Sequence, residues 1–176
     1  GDPMIDVADF LARRAIAEAL TDIAYELGTG GRDPGAPTPA DARGRCDCSG
    51  YTAWLHRLDR LQIVDGQEVW LSTGGIIADA QGPRRWYEEI DRPELGALAV
   101  YAADKQRGRP YGHVGGIVGG LPAEWDPRSL ALWRALEVTD CHGPRGRKPG
   151  IMTVSGLGWG RVWGARRGTI FARRVG

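Results

Sequence analysis

The chain has 176 residues, 42% of them hydrophobic, and its 23 basic and 22 acidic side chains leave a formal net charge of +1. That length suits a single domain with a core of its own, and the near-neutral balance gives no general reason to expect nucleic acid or another polyanion as partner. No apolar run approaches the roughly 20 residues needed to cross a bilayer, so no membrane span is expected, and three cysteines do not make a disulfide framework because one is left over however they pair.

Gly1-Asp2-Pro3 ahead of Met4 reads as a cloning remnant, with the natural chain expected over 4–176 and made without a visible export signal. Asp6 is a candidate N-cap, and Val7, Phe10, Leu11, Ile16, Leu20, Ile23 and Leu27 recur at helical spacing until Gly28, which predicts an amphipathic helix over 6–27. Residues 28–45 are rich in Gly, Pro and Asp and read as loop. A second helix starts at or next to Cys48, buries Tyr51, Leu55 and Leu58, sets His56, Arg57 and Arg60 on its polar side and ends near Gln62. Residues 63–95 show no firm pattern beyond short helical turns at 76–80 and 86–90.

From Gly96 the pattern changes. Two short apolar runs, 97–101 and 113–118, flank a polar loop over 103–110 and read as antiparallel strands. Turn signals at Pro122 and Asp126-Pro127 precede 132–140, which is either a helix followed by a strand or one strand. The stretches 152–155, 160–163 and 169–173 read as later strands. Helices first and strands afterwards predict an α+β fold with an antiparallel sheet packed against N-terminal helices. Arg161, Arg166, Arg167, Arg173 and Arg174, and Arg145, Arg147 and Lys148, are locally basic and read as solvated faces, with contact to an acidic surface as the alternative.

The chemistry concentrates at Asp47-Cys48-Ser49-Gly50, which puts a thiol at a helix start. The macrodipole and free N–H groups of a first helical turn stabilise a thiolate, and a neighbouring imidazolium does so further. Of the three histidines, His113 is the best partner, since it opens a strand after a loop and its ring can project from the sheet end toward the helix; the alternative is a strand-end histidine facing water. His56, about two turns beyond Cys48, reads as solvated. Asp140 and His142 lie two apart on one strand face, and either suits the far nitrogen of His113, the carboxylate more strongly.

Cys46, Cys48, Cys141 and His142 are four nominal zinc ligands, but one residue between Cys46 and Cys48 and none between Cys141 and His142 do not match common structural-zinc spacing. Cys46 and Cys141 read as small buried or free thiols, with a bridge in an oxidising compartment as the alternative. The seven tryptophans, Trp54, Trp70, Trp86 and Trp159 among them, read as core and rim residues, some lining a groove.

Asp47-Cys48-Ser49-Gly50, Gly96-Ala97-Leu98-Ala99-Val100-Tyr101 and Gly112-His113-Val114-Gly115, in that order, resemble the motifs of the NlpC-type papain-like cell-wall cysteine peptidases. Tyr25 with Gly28 and Gly30-Gly31 looks like the Tyr plus Gly-Gly element that precedes the nucleophile there, so the resemblance covers about residues 20–143. It implies a papain-like fold, Cys48 as nucleophile and His113 as base. Asp140 falls in the slot of the third residue, a departure from the usual His, Asn or Gln, and His142 is the alternative.

The resemblance further implies that Tyr25, Asp47 and Ser49 hold the peptide stem beside the scissile bond, with Ser72 and Thr73 lining the same groove. The implied activity is cofactor-free hydrolysis of amide bonds in peptidoglycan stem peptides, usually between D-Glu and a diamino acid. A non-catalytic wall-peptide-binding module and an acyltransferase on the same fold are the alternatives. A monomer is expected, with peptidoglycan peptides and an inhibitor or immunity protein as partners. The run Gly108-Arg109-Pro110-Tyr111-Gly112-His113 is loosely similar to amidase effectors of type VI secretion and to phage-associated wall enzymes, which implies delivery by a secretion system, a phage particle or lysis.

Overall fold

The computed structural model describes residues 6–176, so Gly1-Asp2-Pro3 and Met4 lie outside the described residues. Asp6 caps α1 (Val7–Ala19), its carboxylate accepting the Asp9 N–H at 3.2 Å. The helix ends at Leu20, whose backbone is already extended, and so falls well short of residue 27. Ile23 and Ala24 are buried as extended chain instead, and β1 (Ala24–Tyr25) pairs in parallel with β2 (Arg45–Cys46). The apolar spacing of three and four residues continues past Leu20, but pairing with a segment about twenty residues on decides the conformation.

Immediately after β2 the chain forms α2 (Cys48–Leu55), every residue of which is buried. It is shorter than expected, and the early stop redirects the chain. Arg57 takes a positive φ of 53°, so positions 56–60 leave the helical face on which the apolar spacing places them. Arg57 is exposed and pairs with Asp9, but His56 and Arg60 are buried, contrary to the solvated reading. His56 lies beside Phe10 and Tyr87, its Nε2–H donating to the Gly96 carbonyl at 2.7 Å and its Nδ1 accepting the Tyr87 hydroxyl at 3.0 Å.

A hairpin of β3 (Leu61–Val64) and β4 (Gln67–Trp70) turns at Asp65 and Gly66, both at positive φ, as a tight Asp-Gly hairpin requires. α3 (Thr73–Ala80) is capped by Ser72. Residues 86–90 are not a helical turn. The Asp79 carboxylate collects the N–H groups of Arg85, Trp86 and Tyr87, and the chain leaves as β5 (Tyr87–Ile90).

The remaining strands are β6 (Leu98–Tyr101) and β7 (His113–Gly119), then β8 (Glu137–Cys141) after the short helix α4 (Leu130–Ala135), and β9 (Ile151–Ser155). The segment after β9 is a helical turn, α5 (Leu157–Gly160), and not the strand expected at 160–163: Gly160 sits against Trp133, where an added Cβ would come within 2.3 Å of the indole. The chain closes with β10 (Ile170–Arg174).

These strands form one antiparallel sheet in the order β5-β10-β6-β7-β8-β9. Leu98, Val100 and Val114 pack with residues of α2 and α3 on one face, while Ala97, Ala99, Ile117 and Val138 pack with Trp133 and Trp159 on the other. The expected α+β arrangement, helices against an antiparallel sheet, is therefore what the chain adopts. Gly115 and Gly116 make close packing possible on both faces of β7, since an added Cβ would meet Val138 at 2.5 Å in one case and Phe10 at 2.6 Å in the other. Among the described residues, no helix is long and apolar enough to cross a membrane.

Candidate active site

Asp47 fixes where the nucleophile candidate stands. Its backbone is extended, and its Oδ1 accepts the Gly50 N–H at 2.8 Å, so α2 begins at Cys48. As the first residue of the helix, Cys48 has a backbone N–H with no partner inside it. The same Asp47 carboxylate accepts the Gly28 N–H at 2.6 Å and two bonds from the Arg60 guanidinium, at 2.6 and 3.2 Å. Arg60 also donates to the Ser49 hydroxyl at 2.6 Å and to the Thr29 carbonyl at 2.9 Å, and stacks on Trp70. Gly50 is obligatory beside this cluster: a Cβ there would lie 2.6 Å from the Thr29 oxygen and 2.8 Å from Arg60 Nη1.

β7 and β8 supply the opposing groups. His113, the first residue of β7, donates from Nε2 to Asp140 Oδ2 at 2.7 Å, while His142 Nδ1 lies 2.6 Å from Oδ1 of the same carboxylate. Asp140 thus sits between two imidazoles and is itself buried. The Cys48 thiol is also close enough to His113 to raise the proton affinity of the ring. With Nε2 committed to Asp140, Nδ1 is the nitrogen left for sulfur. The ring is further held by Trp159 of α5, stacked on it with centroids 5.1 Å apart and planes at 20°.

Burial alone would lower the pKa of His113, but the hydrogen bond to Asp140 and the proximity of Asp140 and Cys48 more than offset it and raise the value to about 10. Burial would likewise raise Asp140, yet the two histidines hold it below the ordinary carboxylate range. The arrangement therefore favours an imidazolium beside the sulfur at neutral pH.

Three adjoining hollows surround these groups. One of about 240 Å³ is lined by Cys48, Ser49, Trp70, Ser72 and Thr73. A second of about 480 Å³ is lined by His113, Asp140, His142 and Trp159. Tyr25 and Arg145 border the third, of about 430 Å³. Tyr111, 66% exposed, lines all three, so they form one cleft running past the thiol. Burial, then the nearby Cys48 and Asp47, raises the pKa of the Tyr25 phenol, which stays a neutral donor.

Cys48, His113, Asp140 and His142 are thus brought together, Tyr25, Ser72 and Thr73 line the same cleft, and Asp47 and Ser49 line it too, engaged by Arg60. His56 stands apart, bonded to the Gly96 carbonyl and the Tyr87 hydroxyl. Cys46 and Cys141 are free, fully buried thiols; Cys141 Sγ donates to the Cys46 carbonyl at 3.3 Å, and burial first, then Cys141, pushes the Cys46 thiol well up. Among the described residues, no group of three or more His, Cys, Asp or Glu is arranged to hold a metal ion.

Three residues escape a reading of the sequence. Arg60 falls on the polar side of the helix expected to end near Gln62, so nothing in the sequence marks it as buried. Trp159 borders a segment that reads as a strand, and Tyr111 lies just past a loop without pattern. The chain matches no protein-family model, and no curated protein is significantly similar to it.

Proposed function

We propose that the protein is a papain-like cysteine hydrolase of the kind its motifs resemble, cleaving amide bonds in peptidoglycan stem peptides, with the bond between D-Glu and a diamino acid as the first candidate. The observation that carries the reading is the line Cys48, His113, Asp140, in which a thiol at a helix start meets an imidazole held from behind by a buried carboxylate.

Cys48 Sγ attacks the amide carbonyl carbon as a thiolate. The electron pair displaced onto the carbonyl oxygen is met by the Cys48 backbone N–H, with the phenol of Tyr25, a residue lining the same cleft, as the second donor. His113 Nδ1–H gives its proton to the leaving nitrogen, the C–N bond breaks, and the amine departs from a thioester on Cys48. The imidazole, now neutral, takes a proton from water as the hydroxide adds to the thioester carbon. The C–S bond then breaks, the acid leaves and the thiolate–imidazolium pair is restored. Throughout, Asp140 holds the ring in one orientation and offsets its positive charge.

Mass spectrometry of the intact protein, acid-quenched with excess muropeptide, tests the covalent step. An adduct of acyl-fragment mass on a Cys48 peptide supports it; turnover with an adduct on another residue removes Cys48 from the role.

A further inference from the structure

The acyl and leaving parts of the substrate are assigned to opposite ends of the cleft by the proton that His113 gives to the leaving nitrogen. This assignment rests on the hydrolase reading. His113 must reach the leaving nitrogen, so the leaving part occupies the hollow of His113, His142 and Trp159, and the acyl part runs over Cys48 into the hollow of Trp70, Ser72 and Thr73.

The only carboxylate lining that acyl-side hollow, among the described residues, is Asp47, and it has nothing left to offer a cation. Its two oxygens accept from Gly50, from Gly28 and twice from Arg60, with the Ser49 hydroxyl at 3.5 Å as a further donor. Asp47 is 2% exposed and Arg60 1%. The guanidinium cancels the carboxylate and is itself locked by the Thr29 carbonyl, so the pair presents no net negative charge to the hollow. The other acids along the cleft are also taken: Asp140 by two histidines, Glu26 by Arg43, Arg45 and Arg145. What remains on the acyl side is neutral, namely the hydroxyls of Ser72, Thr73 and Tyr111 and the exposed Trp70 and Leu27.

We infer that the acyl side of the cleft takes a residue whose amino group is acylated, as in a stem peptide still joined to its glycan strand, and disfavours a free α-amino terminus. A free ammonium entering this hollow loses water and finds no unpaired carboxylate to replace it. An acylated nitrogen carries no charge to compensate, and its amide finds the hydroxyls of Ser72 and Thr73.

The test uses the wild-type protein and three substrates with one stem sequence: a free α-amine, an N-acetyl cap, and a muramyl-linked form. The expected result is a kcat/KM higher by about tenfold or more for both acylated substrates than for the free amine. An equal or higher kcat/KM for the free amine overturns the inference and leaves the hydrolase reading standing. Cleavage of none of the three overturns that reading and this inference with it.

Discussion

His113 Nε2 donates to Asp140 Oδ2 at 2.7 Å, and this one bond decides which ring nitrogen meets the Cys48 thiol. Because Asp140 is buried and its second oxygen is held by His142, the carboxylate cannot turn away without breaking two hydrogen bonds. Asp140, and not His142, is therefore the residue hydrogen-bonded to His113.

Asp140→Asn keeps the shape but loses the charge that stabilises the imidazolium, and the amide can present its NH₂ to the ring. We expect kcat to fall by about 10²–10⁴-fold. His142→Ala acts only through Asp140 and should cost about tenfold or less. Steady-state kinetics of both variants decide the ranking; a larger loss in His142→Ala would reverse the roles assigned here.

Trp159 is a positioning residue for His113. Trp159→Leu removes the stacked surface, and kcat should fall by about tenfold to a hundredfold with KM little changed. Trp159→Phe should recover part of it. A KM effect alone, or no rescue by Phe in a variant of unchanged Tm, would argue against positioning.

The buried His56 makes stability depend on pH. Burial lowers its pKa to about 4, from an ordinary value of 6.5. Between these values the unfolded chain binds a proton that the folded chain does not, so stability is intact above pH 6.5 and declines as pH falls toward 4. The full decline from this group is about 3 kcal/mol. Urea midpoints at several pH values should show it, and His56→Gln should flatten that part of the curve while lowering stability at neutral pH. An unchanged slope in His56→Gln would assign the acid sensitivity elsewhere.

Alkylation separates the three thiols. Cys48 borders the cleft and His113, whereas Cys46 and Cys141 are fully buried. Iodoacetamide at neutral pH should label Cys48 first in the folded protein and the other two only after denaturation. His113→Ala should slow the Cys48 reaction; labelling at the same rate in that variant would mean the imidazole does not activate the thiol.

Gly50→Ala forces a methyl group into the Thr29 carbonyl and the Arg60 guanidinium. We expect a loss of about 1–3 kcal/mol, read as a lower denaturation midpoint. A midpoint unchanged within error would mean the loop over 29–31 yields at no cost.

Elements built from neighbouring residues are legible in the sequence. The Asp6 cap, the start of α2 at Cys48 and the strands on either side of the 103–110 loop all depend on residues within a few positions of one another. Asp140 and His142 stand out by their spacing of two, although only the fold shows that His113 and His142 share the Asp140 carboxylate. Elements that depend on distant partners are not legible in this way. Residues 20–27 are spaced like a helix, but 24 and 25 pair with β2; residues 86–90 contain a strand because β10 lies alongside; His56 and Arg60 look solvent-facing on a helix that in fact stops at Leu55. The β3–β4 hairpin is a different case, since Asp65-Gly66 is a local turn signal and the strands on either side of it are too short and mixed in polarity to stand out.

The proposed role of Cys48 as nucleophile of a wall-peptide hydrolase requires that digestion of defined muropeptides differ between the wild-type protein and Cys48→Ala. Mass spectrometry of the products should show a new amine terminus within the stem peptide for the wild type and none for Cys48→Ala. Equal digestion by both, or none by the wild type across several wall chemotypes, would contradict it.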